Sequence, residues 1–188
     1  MDGHTVEEPE PDVLVRRAEN NDPAAWHILV QRYGPPVWNI ARGMGLAPRD
    51  AADVQQTVWL RLVEHLPRLR DPSRVGAWLL TTTRNECLRQ IAVNHRSRLT
   101  DTGELDQPDH HHPERRVTEH DQLRTLLQLL TQLPHPCALL LRLSALTPAL
   151  EAAELAAATG IPPHRIGPRR RRCLRQLRNR LDGAVTPH

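Results

Sequence analysis

Gly160-Ile-Pro-Pro-His-Arg-Ile-Gly-Pro-Arg-Arg-Arg-Arg-Cys-Leu-Arg-Gln-Leu-Arg-Asn-Arg-Leu181 holds eight arginines, at 165, 169, 170, 171, 172, 175, 178 and 180, and no acidic residue. An alanine-rich segment precedes it, joined through Thr159-Gly160. A short helix, a glycine-containing turn and a basic helix make up the layout of a helix-turn-helix that reads DNA. The whole chain has a net charge of only +3, so everything outside this stretch is net acidic. Cationic charge gathered this tightly is the electrostatic footprint of a phosphate partner.

Composition narrows the class. The 188 residues suffice for one large or two small domains, and 39% of them are hydrophobic. With no phenylalanine and one tyrosine, leucine, valine, alanine and the four tryptophans must fill any core. Every basic residue is an arginine, so each phosphate contact would use a guanidinium fork. Cys87, Cys137 and Cys173 lack the spacing of a zinc knuckle or a redox motif. Reduced thiols in a cytoplasmic protein are the expectation. The acidic start, Met1 to Glu8, has no apolar run, so no signal peptide is read there. No segment approaches the ~20 apolar residues of a membrane span, and no membrane insertion is expected.

Moving outward from the basic stretch, helical periodicity dominates and strand alternation is missing. Asp22-Pro23 is an N-cap followed by proline at the first helical position. Trp26, Leu29, Val30 and Tyr33 then share one helical face. Gly34-Pro35-Pro36 is expected to break or kink that helix. A third helix is read from about Pro48 to Leu66, with Val54, Val58, Trp59, Leu62, Val63 and Leu66 as its apolar side. Asp53, Gln56, Thr57, Leu60 and Glu64 fall on the other side. After a loop from Pro67 to Pro72, a basic helix runs from about Ser73 to Val93, with Val75, Trp78, Leu79, Leu88 and Ile91 as core positions. From Ser97 to about Thr118 the periodicity gives way to acidic residues and His110-His111-His112, which reads as a flexible linker rather than a metal site. A leucine stripe (Leu123, Leu126, Leu127, Leu130, Leu133) opens a second helical domain. A short helix over Ala138–Leu143 follows. Another is read as capped at Thr147-Pro148 and closed by Gly160. Pro168 implies a bent or late-starting basic helix. The fold class is therefore all-α: two small helical domains joined by a flexible acidic linker, with a C-terminal helix-turn-helix.

Several motifs in order resemble the bacterial RNA polymerase sigma factors of the compact extracytoplasmic-function (ECF) group of the sigma-70 family. Asp53-Val-Gln-Gln-Thr-Val-Trp-Leu-Arg-Leu-Val-Glu-His-Leu66 is similar to that family's core-polymerase-binding helix. Ala77-Trp78-Leu79 with Thr83-Arg84-Asn85 is similar to its promoter-facing helix. Leu133-Pro134, Leu139 to Arg142, Glu154-Leu-Ala, Gly160-Ile-Pro and Ile166 to Leu174 resemble its second domain. The likeness implies a disordered tail at 1–11, sigma domain 2 at 12–96, a linker at 97–118, sigma domain 4 at 119–183 and a tail at 184–188. It implies a non-enzymatic protein without a cofactor, whose partners are core RNA polymerase, promoter DNA and, for the family at large, an anti-sigma factor.

Carried over position by position, the resemblance assigns polymerase binding to Asp53, Gln56, Thr57 and Leu60. A carboxylate and an amide suit arginines on a partner helix. Thr57 stands where many members have an acid. It assigns minus-ten DNA to Arg84, Asn85 and Arg89: arginine suits phosphates and asparagine an exposed base edge. The loop from Pro67 to Pro72 corresponds to the segment that receives a flipped base; Trp78 is read as core instead. Minus-thirty-five DNA falls to His164, Arg165, Arg169, Arg170 and Arg172, arginine being the commonest reader of guanine. Arg171 and Arg175 are divided between phosphate and solvent, because consecutive residues spread around a helix. Ala152 and Ala153 stand where many members carry an aromatic. A stand-alone helix-turn-helix regulator accounts for the C-terminal half but not for the first-domain motifs. No phosphate-binding glycine loop, nucleophile constellation or metal-ligand spacing supports an enzyme.

Overall fold

The computed structural model describes residues 9–100, 129, 130 and 132–185. Most of the expected linker, with His110–His112, and Leu123, Leu126 and Leu127 of the leucine stripe lie outside them. All regular structure among the described residues is helical: α1 (Pro11–Glu19), α2 (Pro23–Gly43), α3 (Pro48–His65), α4 (Val75–Thr100), α5 (His135–Leu146), α6 (Ala152–Thr159) and α7 (Pro163–Val185). Two 3-10 turns, Leu66–Arg68 and Pro72–Arg74, join α3 to α4.

The first domain is built from α1 to α4. Asp22 caps α2 as its sequence context implies, its carboxylate accepting from the Ala24 and Ala25 amides. The Arg17 guanidinium bonded to Asp22 holds that carboxyl below the ordinary carboxylate value. α1 is an addition to the sequence reading. It buries Leu14, Val15 and Ala18, and the Trp26 indole of α2 donates to its Ala18 carbonyl at 3.1 Å.

The expected break at Gly34-Pro35-Pro36 does not occur: α2 runs unbroken to Gly43. Gly34 carries no Cβ to collide with the Pro35 ring, and Leu29, Tyr33, Val37 and Ile40 anchor the helix in the core on both sides of the prolines. That burial outweighs the backbone hydrogen bonds the prolines forgo.

α4 is longer than expected, and its buried face is different. Leu80, Thr83, Glu86 and Cys87 are enclosed, whereas Leu88 and Ile91 are exposed. α4 packs against α2 and α3 on one side and against α6 of the second domain on another. This second demand rotates the buried sector away from Leu88 and Ile91. On α3, Val63 is likewise exposed rather than core.

The two domains are docked. One continuous core joins Leu29, Tyr33, Val37, Leu79 and Leu80 of the first to Leu139, Leu140, Leu143, Leu155, Ala158 and Ile166 of the second. Tyr33 and Glu154 meet at this seam above Gly76, where a Cβ would lie 2.0 Å from Glu154 Oε1 and 2.8 Å from the Tyr33 hydroxyl. Burial, and then the Glu154 carboxylate, push the Tyr33 phenol up to about 12.

In the second domain α6 begins at Ala152, not at Thr147. Thr147 instead closes α5, its hydroxyl donating to the Leu143 carbonyl at 2.7 Å. Glu151 and Glu154 form a capping box at the start of α6. Gly160 ends that helix with φ +72°, in the left-handed region that favours glycine. Ala152 and Ala153 are exposed. α7 starts at Pro163 and stays helical through Pro168, so the late start does not hold. Proline so near the N-terminus deletes one helical bond only, and Gly167 before it removes the steric conflict.

The cysteines overturn the reduced-thiol expectation in part. Cys137 and Cys173 are joined by a disulfide, while Cys87 is free and buried. The partners stand 36 residues apart on two helices, a separation that no local spacing rule detects.

Candidate functional site

On α3, Asp53, Gln56 and Leu60 are exposed and Thr57 half-buried, all within a single ~100° sector. The Thr57 hydroxyl donates to the Asp53 carbonyl at 2.9 Å. Val63 continues the strip. Leu60 and Val63 are 57% and 56% exposed, and a helix face that offers an acid, an amide and two uncovered aliphatics has the composition of a protein-docking surface. The opposite face, with Val54, Val58 and Leu62, is buried in the core. That burial fixes the strip's outward aim.

The structure separates the three α4 candidates. Asn85 and Arg89 are exposed and 40° apart in helical rotation. Arg84 lies about 100° from Asn85, half-buried against Gly160 of the second domain. Arg89 bonds Glu86, a buried carboxylate that also holds Arg61 at 2.8 Å. Glu86 thereby fixes the cationic edge between α3 and α4.

Beside that edge lies a cleft of about 240 Å³ lined by Arg61, Glu64, His65, Arg68, Trp78 and Thr82. Trp78 is half-buried rather than core. Its ring stacks on His65, with centroids 5.0 Å apart and planes 7° from parallel. An aromatic pair flanked by two guanidiniums offers stacking and phosphate contacts together. The cleft leaves no local signal in the sequence, because Trp78 shares helical spacing with Val75 and Leu79 and its partner His65 comes from another helix.

α7 buries Ile166, Cys173 and Leu177. At 100° per residue His164, Arg165 and Arg172 point away from that buried line, and so do Arg171 and Arg175. Arg169 and Arg170 flank it instead. Arg169 is half-buried, and its Nε lacks a hydrogen-bond partner. The outward cationic face is thus centred on His164, Arg171, Arg172 and Arg175.

Residues 29–97 match the Sigma-70 region 2 family, a span that runs from within α2 through most of α4. Among solved structures the chain is similar to CnrH, seen in a structure of CnrH in complex with the cytosolic domain of CnrY. The two share 22% identity over 95% of this chain and 100% of that one, with a TM-score of 0.64. No match was found among curated proteins. Part of the first domain is thus similar to sigma-70 region 2, and the chain as a whole shares the helical fold of CnrH. No helix among the described residues is long and apolar enough to cross a membrane.

Proposed function

We propose that this protein is a sigma factor that binds core RNA polymerase and directs promoter-specific transcription initiation, acting by binding rather than as an enzyme. The observation that carries this reading is the outward strip of Asp53, Gln56, Thr57 and Leu60 on α3, inside the segment that matches Sigma-70 region 2. A family match alone would fit any relic of that domain. A match whose family-specific polymerase positions sit uncovered on a rigid helix supports a working interface.

In this reading Arg84, Asn85 and Arg89 contact minus-ten DNA, and the His65–Trp78 cleft receives an unstacked base. His164, Arg165, Arg169, Arg170 and Arg172 of α7 contact minus-thirty-five DNA, joined by Arg171 and Arg175 on phosphates. The docked domains half-bury Arg84, so engagement of promoter DNA by all of these residues requires the seam to open. CnrH was solved with a bound partner domain, which supports an anti-sigma factor as a further partner here, one that favours the docked form.

In-vitro run-off transcription with purified core polymerase and a promoter library tests the proposal. Discrete start sites that appear with the protein and vanish in the Asp53→Ala/Gln56→Ala variant are expected. Tight duplex binding with no initiation would instead establish a stand-alone helix-turn-helix regulator.

A further inference from the structure

We infer that Cys137 and Cys173 form a reversible thiol–disulfide site that controls how firmly the basic helix α7 is held for DNA, the closed bond being the tighter-binding form. The inference rests on the reading of α7 as the DNA-contacting helix.

The bond lies where it can have that effect. It ties the first turn of α5 to the middle of α7, with Cα atoms 5.4 Å apart. α7 has two anchorages. Near its start Ile166 enters the large core shared by both domains. Further along, Cys173 and Leu177 enter a separate small cluster with Leu129, Leu133, Cys137 and Leu141. The cross-link sits inside the weaker anchorage, one turn or less from Arg170, Arg171 and Arg172. Opening it leaves that end of the helix held by the remaining apolar side chains of this small cluster and by the exposed hydrogen bond from Arg180 to Gln132.

The chemistry is also favourable. Cys137 occupies the first turn of α5, where the helix dipole favours a thiolate. Gln176 Oε1 lies 3.7 Å from its sulfur, in place to accept from the thiol when reduced. Cys87, by contrast, is buried in the large core and pushed up to about 12 by that burial and by Glu86, so it stays a neutral bystander.

Closure by a low-molecular-weight disulfide proceeds in two exchanges. The Cys137 thiolate attacks one sulfur of the external disulfide and expels one thiolate, leaving a mixed disulfide. The Cys173 thiolate then attacks the Cys137 sulfur, expels the second thiolate and completes the bond. Two protein thiols lose two electrons and two protons, and one external disulfide becomes two thiols. A protein that works on polymerase meets a reducing thiol pool, in which disulfides are mostly transient and sensing. The dithiol is then the resting form, and closure reports oxidation. Both sulfurs are buried, so exchange proceeds through local opening of α7 from α5.

The test uses the full-length chain in buffers from excess reduced glutathione to excess glutathione disulfide. Maleimide–polymer alkylation counts free thiols, and affinity is read on a pool of random-sequence duplexes and on the sequences selected from it. Excess reduced glutathione is expected to free both thiols and weaken duplex binding about tenfold. It should also lower the chain's melting temperature by about 10 °C, as for loss of a cross-link closing a loop of this size. The Cys137→Ser/Cys173→Ser variant should keep the weak affinity in every buffer, and Cys87→Ala should respond like the parent. If the double variant does not fold, the parent chain's response to the buffers decides the matter. A bond that stays closed in excess reduced glutathione, or one that opens with less than a twofold change in affinity, overturns the proposal. Absence of initiation in every buffer would count against the sigma reading alone, because duplex affinity is measured without polymerase.

Discussion

Arg84 of the first domain packs its guanidinium against Gly160 of the second: a Cβ at Gly160 would lie 3.1 Å from Arg84 Nη2 and 3.2 Å from Cζ. One residue is a promoter-facing candidate and the other is the turn that leads to the basic helix. Gly160→Ala therefore meets two costs. The φ of +72° penalises any Cβ by about 1–2 kcal/mol, and the guanidinium must give way. Urea unfolding of Gly160→Ala, Arg84→Ala and the double variant separates the two. In the Arg84→Ala background the penalty should shrink to the backbone cost alone, and a penalty that is unchanged there would mean the contact contributes nothing.

Gly76 is the second place where the domains touch with no room to spare. A Cβ there would lie 2.0 Å from Glu154 Oε1 and 2.7 Å from Tyr33 Cε1. The Tyr33 ring is buried and cannot swing aside, and Glu154 is fixed by its bond from the Glu151 amide at 2.9 Å. Gly76→Ala should therefore undock the domains, at a cost of about 1–3 kcal/mol, rather than be absorbed locally. Small-angle scattering is expected to show a larger radius of gyration with unchanged far-UV helix content. An unchanged radius would mean the seam adapts.

This seam explains what was and was not legible in the sequence. Helical class, the order of elements, the Asp22 cap and the Gly160 terminus all depend on neighbours within a few residues, where periodicity and cap chemistry operate. Docking depends on Gly76, Tyr33 and Glu154 fitting together across more than a hundred residues, and the second domain's own packing on the Cys137–Cys173 bond; neither leaves a local signal. The misassigned Leu88 and Ile91 follow from the same cause, since a helix with partners on two sides buries a sector that the one-face pattern does not describe. The outward strip of Asp53, Gln56, Thr57 and Leu60 was legible because α3 has one buried face. The α7 face was only partly so, because choosing among consecutive arginines requires knowing that Ile166, Cys173 and Leu177 form the buried line.

Leu60 and Val63 stand uncovered on α3, and nothing among the described residues packs over them to require apolar side chains. Leu60→Asp and Val63→Asp should each leave the melting temperature nearly unchanged, as expected for exposed positions. Burial of a leucine in an interface is worth about 1.5–3 kcal/mol, so Leu60→Asp should weaken capture of core polymerase at least tenfold. Stability that falls with affinity would show that the strip supports the fold rather than a partner.

Glu86 is a buried carboxylate held by two arginines, Arg61 at 2.8 Å and Arg89. Glu86→Gln removes the charge and keeps the shape. Both guanidiniums are partly exposed and can turn to solvent, so the loss should be about 1–2 kcal/mol, well short of a fully buried pair. Arg89, released from Glu86, becomes available to phosphate. Binding of single-stranded DNA to the variant should tighten modestly and steepen in salt dependence, and an unchanged salt slope would mean that Arg89 does not reach the backbone.

Alkaline stability reports two strongly shifted groups directly. Cys87 is raised from 9.0 to about 12, chiefly by burial, and Tyr33 from 10.0 to about 12, by burial and then by Glu154. Each group stays protonated in the fold at a pH where the unfolded chain has already released its proton. The stability each contributes is therefore fully present below its unfolded pKa and is lost as pH rises towards 12. Urea midpoints measured at intervals from pH 8 to pH 11.5 should hold up to about pH 9 and then fall. Cys87→Ala should remove the earlier part of the decline and Tyr33→Phe the later part. In the same pH series the Cys87 thiol should resist iodoacetamide until the protein unfolds, since burial withholds both the thiolate and access to it. Rapid alkylation of Cys87 in the folded chain near pH 9 would contradict its burial in the large core.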